Sequence, residues 1–140
     1  MKKFLFALAI AGAMALTACQ PTTFSAANSK SKLEGNGYTV TMYTDAEAKQ
    51  AFSALSFGDY TISNAIYAKK GADANFDFIL AFYFSSVSDA EGFTSLDSNK
   101  NLGIFNSLAD RELGSNLTKE FGITNNVAYV GSETSFSAAF

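Results

Sequence analysis

The segment FDFILAFYF, residues 76–84, restricts the fold of this chain more than any other part of its sequence. Successive side chains of a β-strand point to opposite sides, so one side of this segment carries five large apolar residues. This Phe stripe consists of Phe76, Phe78, Leu80, Phe82 and Phe84. Burial of one such side chain contributes roughly 1.5–3 kcal/mol to folding. We therefore expect a strand at the centre of the hydrophobic core, with the Phe stripe facing the helices.

Alternating apolar and polar residues, rich in β-branched and aromatic side chains, predict the other strands. A cluster of Lys, Gly, Asp and Asn residues between the second and third strands predicts a turn, and therefore a hairpin. The predicted strands are residues 37–43, 60–68, 76–85 and 126–130, and the predicted turn is residues 69–75.

Helical periodicity and start signals predict the remaining elements. Thr44 and Glu47 have the spacing of a capping box, which marks the start of the first helix. Ser88-Asp89-Ala90-Glu91 repeats a similar start signal before the second helical region. The predicted helices are residues 44–55, a long region over about 89–121 with a break at 96–101, and a short terminal helix within 132–140.

This order of elements predicts an α+β fold of the ferredoxin-like β-α-β-β-α-β type. Its sheet has four antiparallel strands in the order 4-1-3-2, with the helices on one face. The other face is then uncovered and carries a candidate binding surface of Tyr43, Tyr67, Ile79 and Tyr83. Tyrosine favours such a role because it offers a large apolar ring with a polar tip. Alternatively, this face is simply solvated, as is common in antiparallel sheets, or is covered by the C-terminal segment or a second copy of the chain.

The N-terminus has the features of a secretory signal peptide. Lys2 and Lys3 precede an uncharged apolar run, residues 4–16, and the chain becomes polar after Gln20. This run is shorter than the roughly 20 residues that a transmembrane helix requires. We therefore expect residues 1–18 to direct export from the cytoplasm.

The segment Leu16-Thr17-Ala18-Cys19 contains the only cysteine of the chain. It resembles the lipobox of bacterial lipoproteins, the class that signal peptidase II processes. The resemblance covers residues 1–19 and implies cleavage before Cys19, a diacylglyceryl group on its thiol, and usually a further acyl chain on the new N-terminus. Two or more acyl chains hold a protein stably on a membrane. The alternative is an ordinary signal peptide that ends near a chance cysteine.

Composition divides the rest of the chain into a tether and one domain. Residues 19–35 are mostly small and polar and include the only proline, which predicts a flexible tether after the lipidated cysteine. Residues 36–140 are sufficient for a single α+β domain with one core.

Charge and residue types exclude several classes of function. Removal of residues 1–18 takes away two of the ten basic residues and none of the thirteen acidic ones, so the formal charge changes from −3 to −5. Nucleic-acid binding is therefore not expected, because it depends on a basic surface. The chain has no histidine, which removes the commonest general base and metal ligand. We predict no catalytic residues, no metal site and no cofactor.

The sequence thus predicts a lipoprotein held on the cell membrane or outer membrane through Cys19, with its domain outside the cytoplasm. Gln20, rather than Asp, follows Cys19, and in that class this allows transit to an outer membrane. The domain is expected to bind an unknown envelope protein or small ligand without catalysis. The alternatives are an envelope-associated hydrolase that uses carboxylates, and a structural lipoprotein that forms a homodimer.

Overall fold

The Phe-rich segment forms the middle strand of a five-stranded antiparallel sheet. The computed structural model of the chain describes residues 23–140. The strands are β1 Thr39–Tyr43, β2 Asn64–Lys70, β3 Asp77–Tyr83, β4 Lys119–Thr124 and β5 Val127–Ser132, in the order β1-β2-β3-β5-β4. The helices are α1 Ala26–Gly35, α2 Asp45–Ala51, α3 Val87–Glu112 and α4 Glu133–Ala139, and a single 3-10 turn spans Asp73–Asn75.

The α+β class is confirmed, but the sheet differs from the predicted ferredoxin-like arrangement in strand number, strand order and helix placement. The neighbours of β3 are β2 and β5, whereas β1 pairs with β2 at one edge. The extra strand, β4, pairs with β5 as a hairpin. Because β5 occupies the place beside β3 that the prediction gave to β1, the order 4-1-3-2 is not formed.

The β4–β5 hairpin replaces what was predicted as the end of the long helical region. Thr124 pairs with Val127, so Asn125 and Asn126 form a two-residue turn. Asn125 has a φ of +54°, a left-handed conformation that asparagine tolerates better than most residues. An Asn-rich pair between two apolar segments is a signal for this type of turn, and it accounts for the missed strand.

The first face of the sheet is covered by α2 and α3, and the Phe stripe lies there as predicted. Phe78, Leu80, Phe82 and Phe84 are all at most 2% exposed. Thr44 and Glu47 form the expected capping box at the start of α2. The break predicted within the long helical region is also present, because the backbone of residues 96–99 in α3 is not helical.

The second face of the sheet is covered as well, by α1 and α4. Helix α1 packs on β1 and β2, and α4 packs on β3 and β5. The segment predicted as a flexible tether is therefore corrected for residues 26–35, which form a helix. Ser25 caps its start, and Leu33 is fully buried in the second core. This helix was not predicted because the segment is mostly polar and only a few of its residues face the core.

Phe24 fastens the start of the described chain to the end of the sheet where β3 finishes. Its backbone N–H donates to Asn126 Oδ1 at 2.7 Å, and its carbonyl accepts from Asn126 Nδ2 at 3.0 Å. The same Asn126 amide also donates to the carbonyl of Phe84 at 2.8 Å, and the side chain is 2% exposed. The packed unit thus begins before residue 36, the predicted start of the domain.

Within residues 23–140, we found no helix with the length and apolar character needed to cross a membrane. The predicted signal peptide and Cys19 lie outside the described residues.

Helix α1 provides a direct test of this correction. Leu33→Ala removes a fully buried side chain and should lower the free energy of unfolding by about 2–5 kcal/mol. Ser31→Ala, at an exposed position of the same helix, should change it by less than about 0.5 kcal/mol. Urea denaturation followed by circular dichroism measures both values. Equal stability of the two variants would show that residues 26–35 are a tether after all.

Candidate ligand-binding groove

The residues predicted to form one binding surface are divided between the two faces of the sheet. Tyr43 and Tyr67 lie on the first face with the Phe stripe, whereas Ile79 and Tyr83 lie on the second face. The prediction placed Tyr67 on the face opposite the Phe stripe, but Tyr67 pairs with Leu80, and paired residues of antiparallel strands share a face.

None of these four side chains forms part of an uncovered sheet face. Ile79 and Tyr83 are 0% and 1% exposed beneath α1 and α4. Tyr43 is half-buried, with its ring edge-on to Phe52 at 5.3 Å between centroids. Tyr67 is also half-buried and lies against the first core. The predicted tyrosine surface is therefore not assembled.

An open groove of about 700 Å³ lies instead over the first face of the sheet. One wall is the end of α2 and the residues that follow it, Ala51–Leu55. The other wall is the second half of α3, from Lys100 to Arg111. Leu80 of β3 and Phe105 of α3 form the floor and are almost completely buried.

The groove exists because two helices of unequal length cover different parts of this face. Helix α2 has only seven residues and packs on β1 and β2, whereas α3 packs on β4 and β5. The seam between them falls above the central strand, β3. A seam above the most apolar strand of a sheet produces an apolar depression.

Asn101 fixes the two walls to each other at one end of the groove. Its side chain is fully buried, accepts from the N–H of Ser56 at 2.8 Å, and donates to the carbonyl of Ser56 at 2.7 Å. It also donates to the carbonyl of Phe93 at 2.8 Å. Asp97, in the break of α3, accepts from the hydroxyl of Ser56. These contacts hold the break in α3 against the segment after α2.

The lining of the groove is apolar with two cations. The apolar side chains are Ala51, Phe52, Ala54, Leu55, Leu80, Ile104, Phe105 and Leu108. Ser53, Ser107 and Gly103 complete the walls, with Lys100 and Arg111 on α3. In the described part of the chain, no acidic side chain lines the groove. This set of residues suits the binding of an apolar molecule better than acid–base chemistry.

A cluster of hydrogen-bonded polar side chains, buried near the start of β3, has a structural role. Asp77 is 4% exposed and accepts from the hydroxyl of Tyr38 and from Ser132 Oγ, both at 2.6 Å. Ser135 Oγ donates to the carbonyl of Phe78 at 2.9 Å. Burial, assisted by Asp77, raises the pKa of Tyr38. The cluster joins the chain before β1 to β3 and to the start of α4.

Two carboxylates, Asp59 and Asp89, line a separate depression of about 540 Å³. Asp59 is exposed, and Asp89 is half-buried at the start of α3, where its carboxylate accepts from Ser85 Oγ at 3.2 Å. The backbone N–H of Asp89 is already used by the Ser86 cap. These contacts explain Asp89 as part of a helix start.

Only part of the groove is predictable from the sequence. The apolar periodicity of Leu102, Phe105, Leu108 and Ala109 predicts one apolar face in this part of α3. This periodicity does not distinguish Leu108, a half-buried residue of the groove wall, from Phe105, a fully buried residue of its floor. The separation depends on where α2 ends relative to α3, and that is a tertiary contact.

No group of three or more Asp, Glu, Cys or His side chains is placed to hold a metal ion within residues 23–140. Comparisons with protein-family models, with curated proteins and with solved structures gave no match to this chain.

The position of Tyr83 can be checked by alkaline titration. Burial raises the pKa of its hydroxyl above the ordinary value of 10.0, an effect that Ser29 partly offsets. The difference in tyrosinate absorbance between the unchanged chain and Tyr83→Phe should therefore be absent near pH 10 in folded protein. In urea it should appear near pH 10, because the unfolded hydroxyl ionises normally.

The same shift has a consequence for stability. A tyrosine with a raised folded pKa contributes stability that is fully present below about pH 10 and is lost as the pH rises further. Ionisation of Tyr83 near pH 10 in the folded chain would contradict its burial beneath α1 and α4.

Proposed function

We propose that this chain is a membrane lipoprotein with a small non-catalytic binding domain outside the cytoplasm. The observation that carries the proposal is the lipobox-like segment Leu16–Cys19, which follows a basic start and a short apolar run. Diacylglyceryl on Cys19, with a further acyl chain on its amino group, provides the two or more chains needed for stable attachment. The domain then binds its ligand through the groove rather than through the predicted tyrosine surface.

The start of the folded domain supports this arrangement. Phe24 is fastened by Asn126, and five peptide steps separate it from Cys19. Five fully extended residues span at most about 18 Å. The lipid attachment point is therefore close to the domain, and the predicted long tether is reduced to a few residues.

This short connection also favours one orientation of the domain. Phe24, Phe84 and Asn126 lie at the end of the sheet where β3 finishes, and Phe140 packs on Phe24 at 5.1 Å between ring centroids. We infer that this end faces the membrane. The opposite end, with the turn between β2 and β3, faces away from it.

Two alternatives have weaker support. A carboxylate hydrolase needs two acids in a cleft, and Asp59 and Asp89 line a depression. Asp59 is exposed and Asp89 has helix-capping contacts, however, so neither resembles a carboxylate adapted for proton transfer. A homodimer through an open sheet face is disfavoured, because α1 and α4 of the same chain cover that face.

Lipid attachment is tested by replacing the cysteine. Cys19→Ala should abolish incorporation of a labelled fatty acid and either release the protein from membranes or leave an uncut precursor. The double variant Cys19→Ala with Thr23→Cys restores a thiol four residues later, outside the lipobox, and should not restore labelling. Membrane fractionation and mass spectrometry of the N-terminal peptide measure both effects. Normal cleavage with unchanged membrane attachment of Cys19→Ala would show that the anchor is elsewhere.

Orientation is tested with two matched single-cysteine variants, Ser63→Cys and Ala74→Cys. Both positions are exposed, and they lie at opposite ends of the sheet. The seven residues of β3 span about 20 Å between these ends. If Cys19 is acylated, the introduced thiol is the only one free to take a fluorescent label. Energy transfer to a membrane dye should be stronger from position 63 than from position 74, and equal or reversed transfer would contradict the orientation.

A further inference from the structure

We propose that the groove binds a single-chain anionic amphiphile: an alkyl chain that ends in a negative group such as a carboxylate. The alkyl chain lies on Leu80 and Phe105 between the two walls, and the negative group lies beside Lys100. The inference rests on the binding role proposed for the domain, but it does not depend on lipidation of Cys19.

The shape of the groove fits a chain of this kind. Phe52, Ile104 and Leu108 are half-buried and present apolar surface above a floor that is almost fully buried. Its volume of about 700 Å³ lies within the range of roughly 300–1,000 Å³ that small-molecule sites occupy. A small ligand is therefore a better match than a helix of a partner protein.

The length of the groove also suits an extended alkyl chain. Lys100, Ile104, Leu108 and Arg111 lie along one side of α3, because residues three or four apart in a helix are neighbours. Lys100 and Arg111 are eleven positions apart, which corresponds to about 16 Å along the helix axis. The apolar part of the groove lies between these two cations.

The charge of the lining selects the sign of the head group. Lys100 has no hydrogen bond or ion pair within residues 23–140, whereas Arg111 Nε donates to Glu112 at 2.8 Å. The nearby Asp97 carboxylate accepts from the Ser56 hydroxyl. Lys100 is thus the available cation of the groove, in a chain whose net charge is negative. An anionic head group complements it.

Gly103 offers a way to fill the groove without disturbing the core. A Cβ at Gly103 would meet no atom within 4 Å, and the residue lines the groove. Gly103→Leu therefore places a side chain in the open space and replaces glycine in a helix with a better helix former. Gly35→Leu is a matched control, because a Cβ there also meets open space, at the end of α1 on the other face.

The first experiment measures dodecanoate binding by calorimetry. It uses the full chain with Cys19→Ala, so that no attached acyl group competes for the groove. Gly103→Leu should weaken binding roughly tenfold or more, and Gly35→Leu should leave it within about twofold. Ala54→Leu narrows the groove from the other wall and should also weaken binding. Undetectable binding of dodecanoate, or equal binding by both glycine variants, would overturn the proposal.

The second experiment tests the head group. Lys100→Gln should weaken dodecanoate binding about two- to fivefold, the range expected for one exposed charge pair, and should leave dodecanol binding unchanged. Raised salt should reduce the difference between dodecanoate and dodecanol, since it screens exposed charges. Dodecyltrimethylammonium that binds as tightly as dodecanoate would show that the groove does not select a negative group.

The outcomes separate this inference from the proposed function. Loss of membrane attachment in Cys19→Ala together with no dodecanoate binding retains the anchor and rejects this ligand class. Dodecanoate binding that Gly103→Leu abolishes, with unchanged attachment of Cys19→Ala, retains the ligand class and rejects the anchor.

Discussion

The burial of β3 on both faces is the constraint on which the rest of the structure depends. All seven residues of this strand are buried, although its two sides carry different side chains. One side presents Phe78, Leu80 and Phe82, and the other presents Ile79, Ala81 and Tyr83. An antiparallel strand of this kind cannot leave one side in water without exposing a large apolar area. Helices are therefore required on both faces, and α1 and α4 supply the second layer.

Local signals were sufficient to predict much of this structure. The alternation of residues 76–84 located the central strand, and the Thr44–Glu47 spacing located the start of α2. The second cover was not predictable in the same way, because Leu33 is one of few apolar residues in a polar segment. Its burial depends on contacts with strands that follow it in the chain. The division of Tyr67 and Ile79 between faces likewise depends on the pairing register, which the pattern of either strand alone does not determine.

Two buried asparagines show how irregular segments are tied to this sheet. Asn126 bonds to Phe24, which is 102 residues away in sequence, and Asn101 bonds to Ser56 across 45 residues. Each uses both its donor and its acceptor on backbone groups that lie outside regular pairing. Such contacts satisfy buried polar groups that would otherwise destabilise the fold. The groove was not predicted because the separation of its walls depends in part on Asn101, whose contact with Ser56 joins residues far apart in the sequence.

The contacts of α3 with β3 relate the groove to the end of the domain proposed to face the membrane. Phe93 packs on Phe84 with ring centroids 5.2 Å apart, so the break in α3 lies near the end of the sheet that Asn126 fastens. The other end of α3 lies near Phe76, whose carbonyl accepts from the N–H of Gly114. Lys100 is therefore at the end of the groove nearer the proposed membrane side, and Arg111 is at the far end. Leu80, on the floor of the groove, is four residues before Phe84, so the floor lies about 13 Å along the strand from that end of the sheet.

An anionic head group beside Lys100 would then face the membrane while its alkyl chain runs away from the bilayer along α3. If Cys19 carries the proposed lipid, its short connection to Phe24 would give the groove a fixed direction, which a long flexible tether would not.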